Sequence, residues 1–194
     1  MNNKKVITIG LSLMLSIGVM GCSNKNKVED KKVTQKTEVT TENPYTTHYT
    51  TGYNDYIAGL EQYSIYSNPG EINKIYENKE YPGNEKYVND LTLAYKDSRE
   101  KIKSFTESLK ANTKIEDTNI KKMNDDLVAE GEKLVTDIDT RLKQLEAIPK
   151  ETYSKSKEEF SKAVTEATVI KNSTENKFNQ MIKDMNLNFG INKK

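Results

Sequence analysis

The sequence predicts an all-α protein built as an elongated antiparallel three-helix bundle, and three observations carry that expectation. Apolar residues recur at alternating spacings of three and four over three long stretches, which gathers them into one stripe of a helix. Apolar content is only 34% against 30% charged residues, so the chain can bury a thin core, which suits long helices better than a compact α/β enzyme. The connections near residues 112–116 and at Pro149 are short, and short connections force neighbouring helices antiparallel.

Residues 1–21 read as a secretory signal peptide. Lys4 and Lys5 precede an apolar run from Val6 to Met20, which is shorter than the roughly 20 residues a spanning helix needs. Val19-Met20-Gly21-Cys22 resembles the lipobox of bacterial lipoproteins, in which a small residue precedes a cysteine that is diacylated on sulfur and becomes the first residue of the mature chain. Val19 stands where that motif prefers Leu, and Met20 where it usually has a small residue. The resemblance implies lipidation at Cys22, with fatty acyl chains such as palmitate holding the protein on the extracytoplasmic face of a cell membrane. Cys22 is the only cysteine, so no internal disulfide can form and stability must come from burial. Removing residues 1–21 takes Lys4 and Lys5 and no acidic residue, leaving 28 basic residues against 29 acidic ones. That balance gives no general attraction to nucleic acid or to an anionic bilayer.

Residues 22–52 are expected to form a lipid-anchored disordered tether. From Ser23 to about Asn43 the chain is almost all Lys, Thr, Glu, Asn and Val without periodicity, and such a tract buries too little apolar surface to offset its ordering entropy. About 30 residues of tether would have an r.m.s. span of roughly 30 Å and a taut reach of about 100 Å. At its end, Tyr45-Thr46-Thr47-His48 and Tyr49-Thr50-Thr51-Gly52 form a tandem repeat. Tyrosine combines a flat apolar body with a polar tip, which suits contact with sugar rings, peptides or a protein surface. Tyr45 and Tyr49, placed on the mobile arm, are the candidate partner contacts.

Residues 53–83 are expected to form a Tyr-rich short-helix segment. Tyr53, Tyr56, Ile57, Leu60 and Tyr63 mark one helix face, Asn68-Pro69-Gly70 and Pro82-Gly83 mark turns, and Ile72, Ile75 and Tyr76 suit two further turns of helix between them. Tyr53, Tyr56, Tyr63, Tyr76 and Tyr87 are expected to cover the bundle, with hydroxyls reaching water. Gly52-Tyr53-Asn54-Asp55-Tyr56-Ile57 resembles the Tyr-Asn-x-Tyr-Ile opening of a group of uncharacterised, mostly helical bacterial lipoproteins that includes YiiG-like proteins. That resemblance implies a surface helical lipoprotein and transfers no functional residue.

Residues 84–188 supply the long-helix bundle, packed with 53–83 as one domain. In 84–111 the stripe is Val88, Leu91, Tyr95, Ser98, Ile102, Phe105 and Leu109. In 117–148 it is Ile120, Met123, Leu127, Leu134, Ile138, Leu142 and Leu145, vacant at Glu130 and Gly131, with a start at Glu116 or Asp117 and an end enforced by Pro149. The third stretch, 152–187, carries Tyr153, Phe160, Val164, Ala167, Phe178, Met181 and Met185, with Thr152 as its expected N-cap and Lys171 and Thr174 diluting the middle. Weak places at Ser98, Gly131 and Lys171 predict a looser or hydrated layer in mid-bundle. A monomer is expected in preference to a homodimer.

Chemistry is scarce in this sequence. One histidine and one cysteine cannot assemble a Ser-His-Asp or Cys-His arrangement or a zinc site, and His48 in a Thr-rich repeat reads as a solvated side chain. Asp125-Asp126 and Asp137-x-Asp139 lack the loop of a calcium site and read as solvated helix surface. No Gly-rich phosphate loop is present. The expectation is a non-enzymatic, cofactor-free interaction module at the bacterial cell envelope, touching the membrane through its lipid and an envelope protein or wall polymer through its surface. The alternative is a small-molecule receptor or carrier with an apolar pocket lined by Phe105, Leu134 and Phe178.

Overall fold

The computed structural model describes residues 44–66, 72–111 and 114–191, and every regular element among them is helical. Helix α1, Pro44–Gly52, runs on through a π-helical turn, Tyr53–Ile57, into a 3-10 stretch, Ala58–Tyr66. A single turn, α2, spans Ile72–Ile75. The two long helices follow: α3, Asn84–Ala111, and α4, Thr118–Glu146. After a 3-10 turn at Lys150–Ser154 come α5, Lys157–Ala167, and α6, Glu175–Asn188.

The ends of these helices follow from local chemistry. Gly83, at φ 92°, takes the left-handed backbone that the Pro82-Gly83 pair allows, and its carbonyl accepts from Tyr87 N to open α3. Asp117 caps α4, its carboxylate accepting from Asn119 N at 2.8 Å and Ile120 N at 3.0 Å, which satisfies two of the donors orphaned at a helix start. Ser156 and Glu159 form a reciprocal capping box at the start of α5.

Cross-helix contacts fix the directions. Arg99 meets Asp139 while Lys110 meets Glu132, so α3 and α4 run antiparallel. Arg141 meets Glu175 while Met123 meets Asn188, so α6 runs back along α4. The all-α antiparallel bundle is therefore as the heptad spacing predicts, with α3 matching the expected 84–111.

Two expectations need correcting. The third stretch is not one helix with Thr152 as N-cap: it is interrupted at 168–174, where Asn172 takes a φ of 61°, and its first helix is capped by Ser156. The tether does not extend to Gly52 either, because residues 44–52 are α1 and belong to the folded body. The 44–66 segment lies antiparallel to α3 as a fourth rod, the first in chain order, with Tyr49 against Phe105 and Tyr63 donating to Asp97 at 2.6 Å. It also borders α6, so the four rods close on one another.

One continuous core results. It includes Tyr45, Tyr49 and Ile57 from the first rod, Leu91, Ile102 and Phe105 from α3, Leu134 and Ile138 from α4, and Phe160, Val164 and Phe178 from the last. Mid-bundle is tight at Gly131, where an added Cβ would strike Thr106 Oγ1 and lie 3.2 Å from Phe178 Cε2. α4 thereby approaches α3 and α6 at that level, in place of the looser layer expected.

Candidate functional site

Cys22, the expected lipidation site, lies outside the described residues. Tyr45 and Tyr49 are described, and they are not on a mobile arm. Both are 0% exposed, a correction of their expected role as surface contacts. Their four-residue spacing places both rings on one face of α1, which turns inward. Tyr45 donates to Asn124 Oδ1 of α4 at 2.7 Å and meets Phe189 edge-on at 5.8 Å between ring centres. Tyr49 donates to Asn186 Oδ1 of α6 at 3.0 Å and packs against Tyr53, Phe105 and Phe189. Burial, and then the Asp125 charge, raises the Tyr45 phenol well above its ordinary range, while burial does the same to Tyr49.

His48 is half-buried, with its Nε2 2.9 Å from the Ser108 carbonyl. That carbonyl sits in the last turn of α3, where backbone acceptors lack helical partners, so the ring closes a helix end instead of standing in solvent. The Tyr-Thr-Thr repeat is thus a latch that fastens the first rod to α3, α4 and α6. Sequence reasoning missed it because a Thr-rich stretch has little helical signal of its own, and the partners Asn124 and Asn186 are polar residues that read as surface. The four-residue spacing of the two tyrosines was the available signal.

A second centre occupies the break between α5 and α6. Arg141 Nη1 lies 3.0 Å from Glu175 Oε2, with both side chains buried, and Nη2 reaches Ser173 Oγ at 3.3 Å. The guanidinium carbon stands 6.0 Å from the centre of the Tyr95 ring, a cation–π contact within the core. Burial pushes the Tyr95 phenol up to about 12, with Arg141 opposing and Glu175 reinforcing the shift. Glu130, also buried, receives Lys177 at 2.6 Å and Lys133 at 3.3 Å and accepts from the Thr174 hydroxyl. Asp137 accepts from Thr174 N at 3.0 Å.

Asp137 and Ser173, whose Oγ accepts from Glu175 N at 3.4 Å, do for α6 what its own N-cap side chain does not, since the Thr174 hydroxyl makes no capping bond and is held by Glu130. An acidic group at a helix start meets both the orphan donors and the positive end of the helix dipole. The geometry explains how the last rod tolerates a break, and why Arg141 is buried: it neutralises Glu175 at the helix entry. The stripe signal was partly legible here. Leu134, Ile138, Arg141 and Leu145 are spaced four, three and four, so Arg141 occupies a seam place that its charge disguised.

Shallow grooves mark the surface of the described residues. One, of about 300 Å³, runs between α2 and α5 beside Ile72, Asn73, Ser161 and Lys162. Another, of about 260 Å³, lies between α3 and α4 beside Arg99, Lys103, Thr106 and Val135. Phe105, Leu134 and Phe178, which the carrier alternative requires as a pocket lining, are all 0% exposed members of the core.

The eleven tyrosines are all buried or half-buried. Tyr66, Tyr76, Tyr81 and Tyr87 form a second aromatic cluster at the opposite end of α3 from the latch. Among the described residues no helix is long and apolar enough to cross a membrane, and no group of three His, Cys, Asp or Glu side chains is placed to hold a metal ion. Comparison with family models, curated proteins and solved structures yields no match to this chain.

Proposed function

We propose that this chain is a lipid-anchored protein of the extracytoplasmic face of a cell membrane, acting as a non-enzymatic interaction module at the bacterial envelope. The observation that carries the reading is the sequence of Lys4-Lys5, the apolar run Val6 to Met20 and the Gly21-Cys22 boundary. The folded part supports it in two ways. Its single histidine is engaged in closing α3, and the aromatic residues a carrier would use as a pocket lining are committed to the core.

The anchored segment meets the folded part at Pro44, so the chain from Cys22 to α1 reaches at most about 75 Å when taut. The latch is the first part of the body after that reach. Tyr45 and Tyr49 therefore hold the anchored end of the chain to the bundle, and contact with an envelope protein or wall polymer falls to the outer helix faces. Those faces carry charges of both signs in i,i+4 pairs, such as Lys86 with Asp90 and Lys121 with Asp125. A partner recognised there is polar and read by position of charge, not by net charge.

The test is Cys22→Ala in cells that process lipoproteins. Two acyl chains hold firmly where one binds only marginally, so the variant should leave the detergent phase and lose acyl incorporation. Unchanged partitioning of the variant would overturn the assignment.

A further inference from the structure

The cluster at the far end of α3 brings four phenols together. The rings of Tyr76 and Tyr81 meet edge-on with centres 5.3 Å apart and planes at 78°. Tyr87 lies 6.2 Å from each of them and Tyr66 lies 6.3 Å from Tyr87. Tyr87 is fully buried and its hydroxyl has no hydrogen-bond partner, whereas Tyr76 and Tyr81 are half-buried and open to solvent on one side. Tyr81 stands in the non-helical stretch before α3, where its hydroxyl donates to Asn84 Oδ1 at 2.6 Å, so its ring can shift toward Tyr76 by giving up that bond and without unwinding a helix.

We propose that Tyr76 and Tyr81 are a site of intramolecular oxidative cross-linking, joined as dityrosine when a one-electron oxidant reaches this end of the bundle. The chain contains no tryptophan, so tyrosine is its readiest aromatic electron donor. Its single cysteine is Cys22, upstream of the fold, and the described methionines Met123, Met181 and Met185 lie toward the latch end and react by taking up oxygen.

In the reaction each phenol loses one electron to the oxidant and its hydroxyl proton to water, the Tyr81 proton leaving its bond to Asn84 Oδ1 to do so. The two phenoxyl radicals then couple through the ring carbons beside their oxygens. The hydrogens on those carbons move to the oxygens as the rings regain aromaticity. Two electrons and two protons leave in all, one carbon–carbon bond forms, and two one-electron oxidant equivalents are reduced. Tyr87 meets both rings and connects Tyr66 to them, so a radical formed on Tyr66 reaches Tyr76 or Tyr81 by electron exchange through Tyr87. The bond would tie α2 to the entrance of α3 in a chain that cannot form an internal disulfide.

The test exposes the full chain to visible light with tris(bipyridyl)ruthenium(II) and persulfate, then digests it with trypsin. Cleavage after Lys79 separates Tyr76 from Tyr81, so the cross-link appears as two joined peptides lighter by two hydrogens than their sum. Dityrosine fluorescence should appear at a yield unaffected by dilution, and the joined species should be lost in both Tyr76→Phe and Tyr81→Phe. In urea the links should scatter over other tyrosines. A yield that falls with dilution, the same link formed equally in urea, or coupling mapped to tyrosines outside the cluster would each overturn the proposal. The map of the unsubstituted chain decides the matter even if a phenylalanine variant fails to fold.

Discussion

Ser98 and Phe105 share one stripe of α3, each 0% exposed, yet they bear on stability in opposite senses. Phe105 packs against Tyr49, and truncation to Ala should cost about 3 to 5 kcal/mol by loss of burial and the cavity left behind. The Ser98 hydroxyl is buried without a hydrogen-bond partner. Ser98→Ala removes that burden and should leave stability unchanged or raise it by up to about 1 kcal/mol. Urea denaturation of the two variants checks the pair, and a large loss in Ser98→Ala would show that its hydroxyl is bound. The stripe made both positions legible as inward-facing. Spacing puts Arg141 and Glu130 on the inner stripe of α4 but did not reveal that they and Glu175 are buried, because a charge enters a core only where a partner from another element neutralises it, and that partner is supplied by the fold.

Among the elements, α3 and α4 were readable from end to end because their stripes, caps and terminators agree. The last rod was not, since its apolar positions continue on either side of 168–174 and its stripe does not show that the backbone turns at Asn172. The break persists because Asp137 on α4 accepts from the backbone at the new helix end while Glu130 holds the Thr174 hydroxyl. Gly131 belongs to the same argument: the missing side chain lets α4 sit close to α3 and α6 beside that end. Gly131→Ala gains helix propensity but forces a methyl group against Thr106, and the overpacking should dominate with a net loss of about 1 to 3 kcal/mol. A thermal midpoint equal to or above that of the parent would show that the rods can separate without loss.

The whole molecule is bound together by phenols. Burial raises Tyr66 and Tyr81 to about 12 from an ordinary 10.0, with Tyr76 contributing to both, and it raises Tyr95 to about 12 as well. Tyr45, Tyr49 and Tyr87 are driven further by the same cause. The folded state therefore holds these protons more tightly than the unfolded chain, and between pH 10 and 12 it binds more of them. By linkage, the stabilisation is complete below pH 10 and is lost as pH rises through the folded values. Helical circular dichroism and tyrosinate absorbance should change together in one cooperative step above pH 10. Phenols that ionise independently near pH 10 while the helices persist would contradict the burial.

The sequence by itself determined the all-α class, the spans of α3 and α4, the antiparallel connections and the inward stripe, because spacing, caps and prolines act through neighbouring residues. It also predicted that Tyr53, Tyr63, Tyr76 and Tyr87 pack on the bundle, as they do, but with hydroxyls reaching water, which the structure corrects: the Tyr53 and Tyr87 hydroxyls are buried and that of Tyr63 donates to Asp97. Only the tertiary structure decided that Tyr45, Tyr49 and His48 fasten a fourth rod, and that Arg141 and Glu175 face each other inside the core. Those outcomes depend on groups far apart in the chain. A tyrosine is amphipathic enough to suit either a surface or a core. Here Asn124 and Asn186 satisfy the hydroxyls while Phe105 and Phe189 cover the rings, and that convergence exists only once the rods have met.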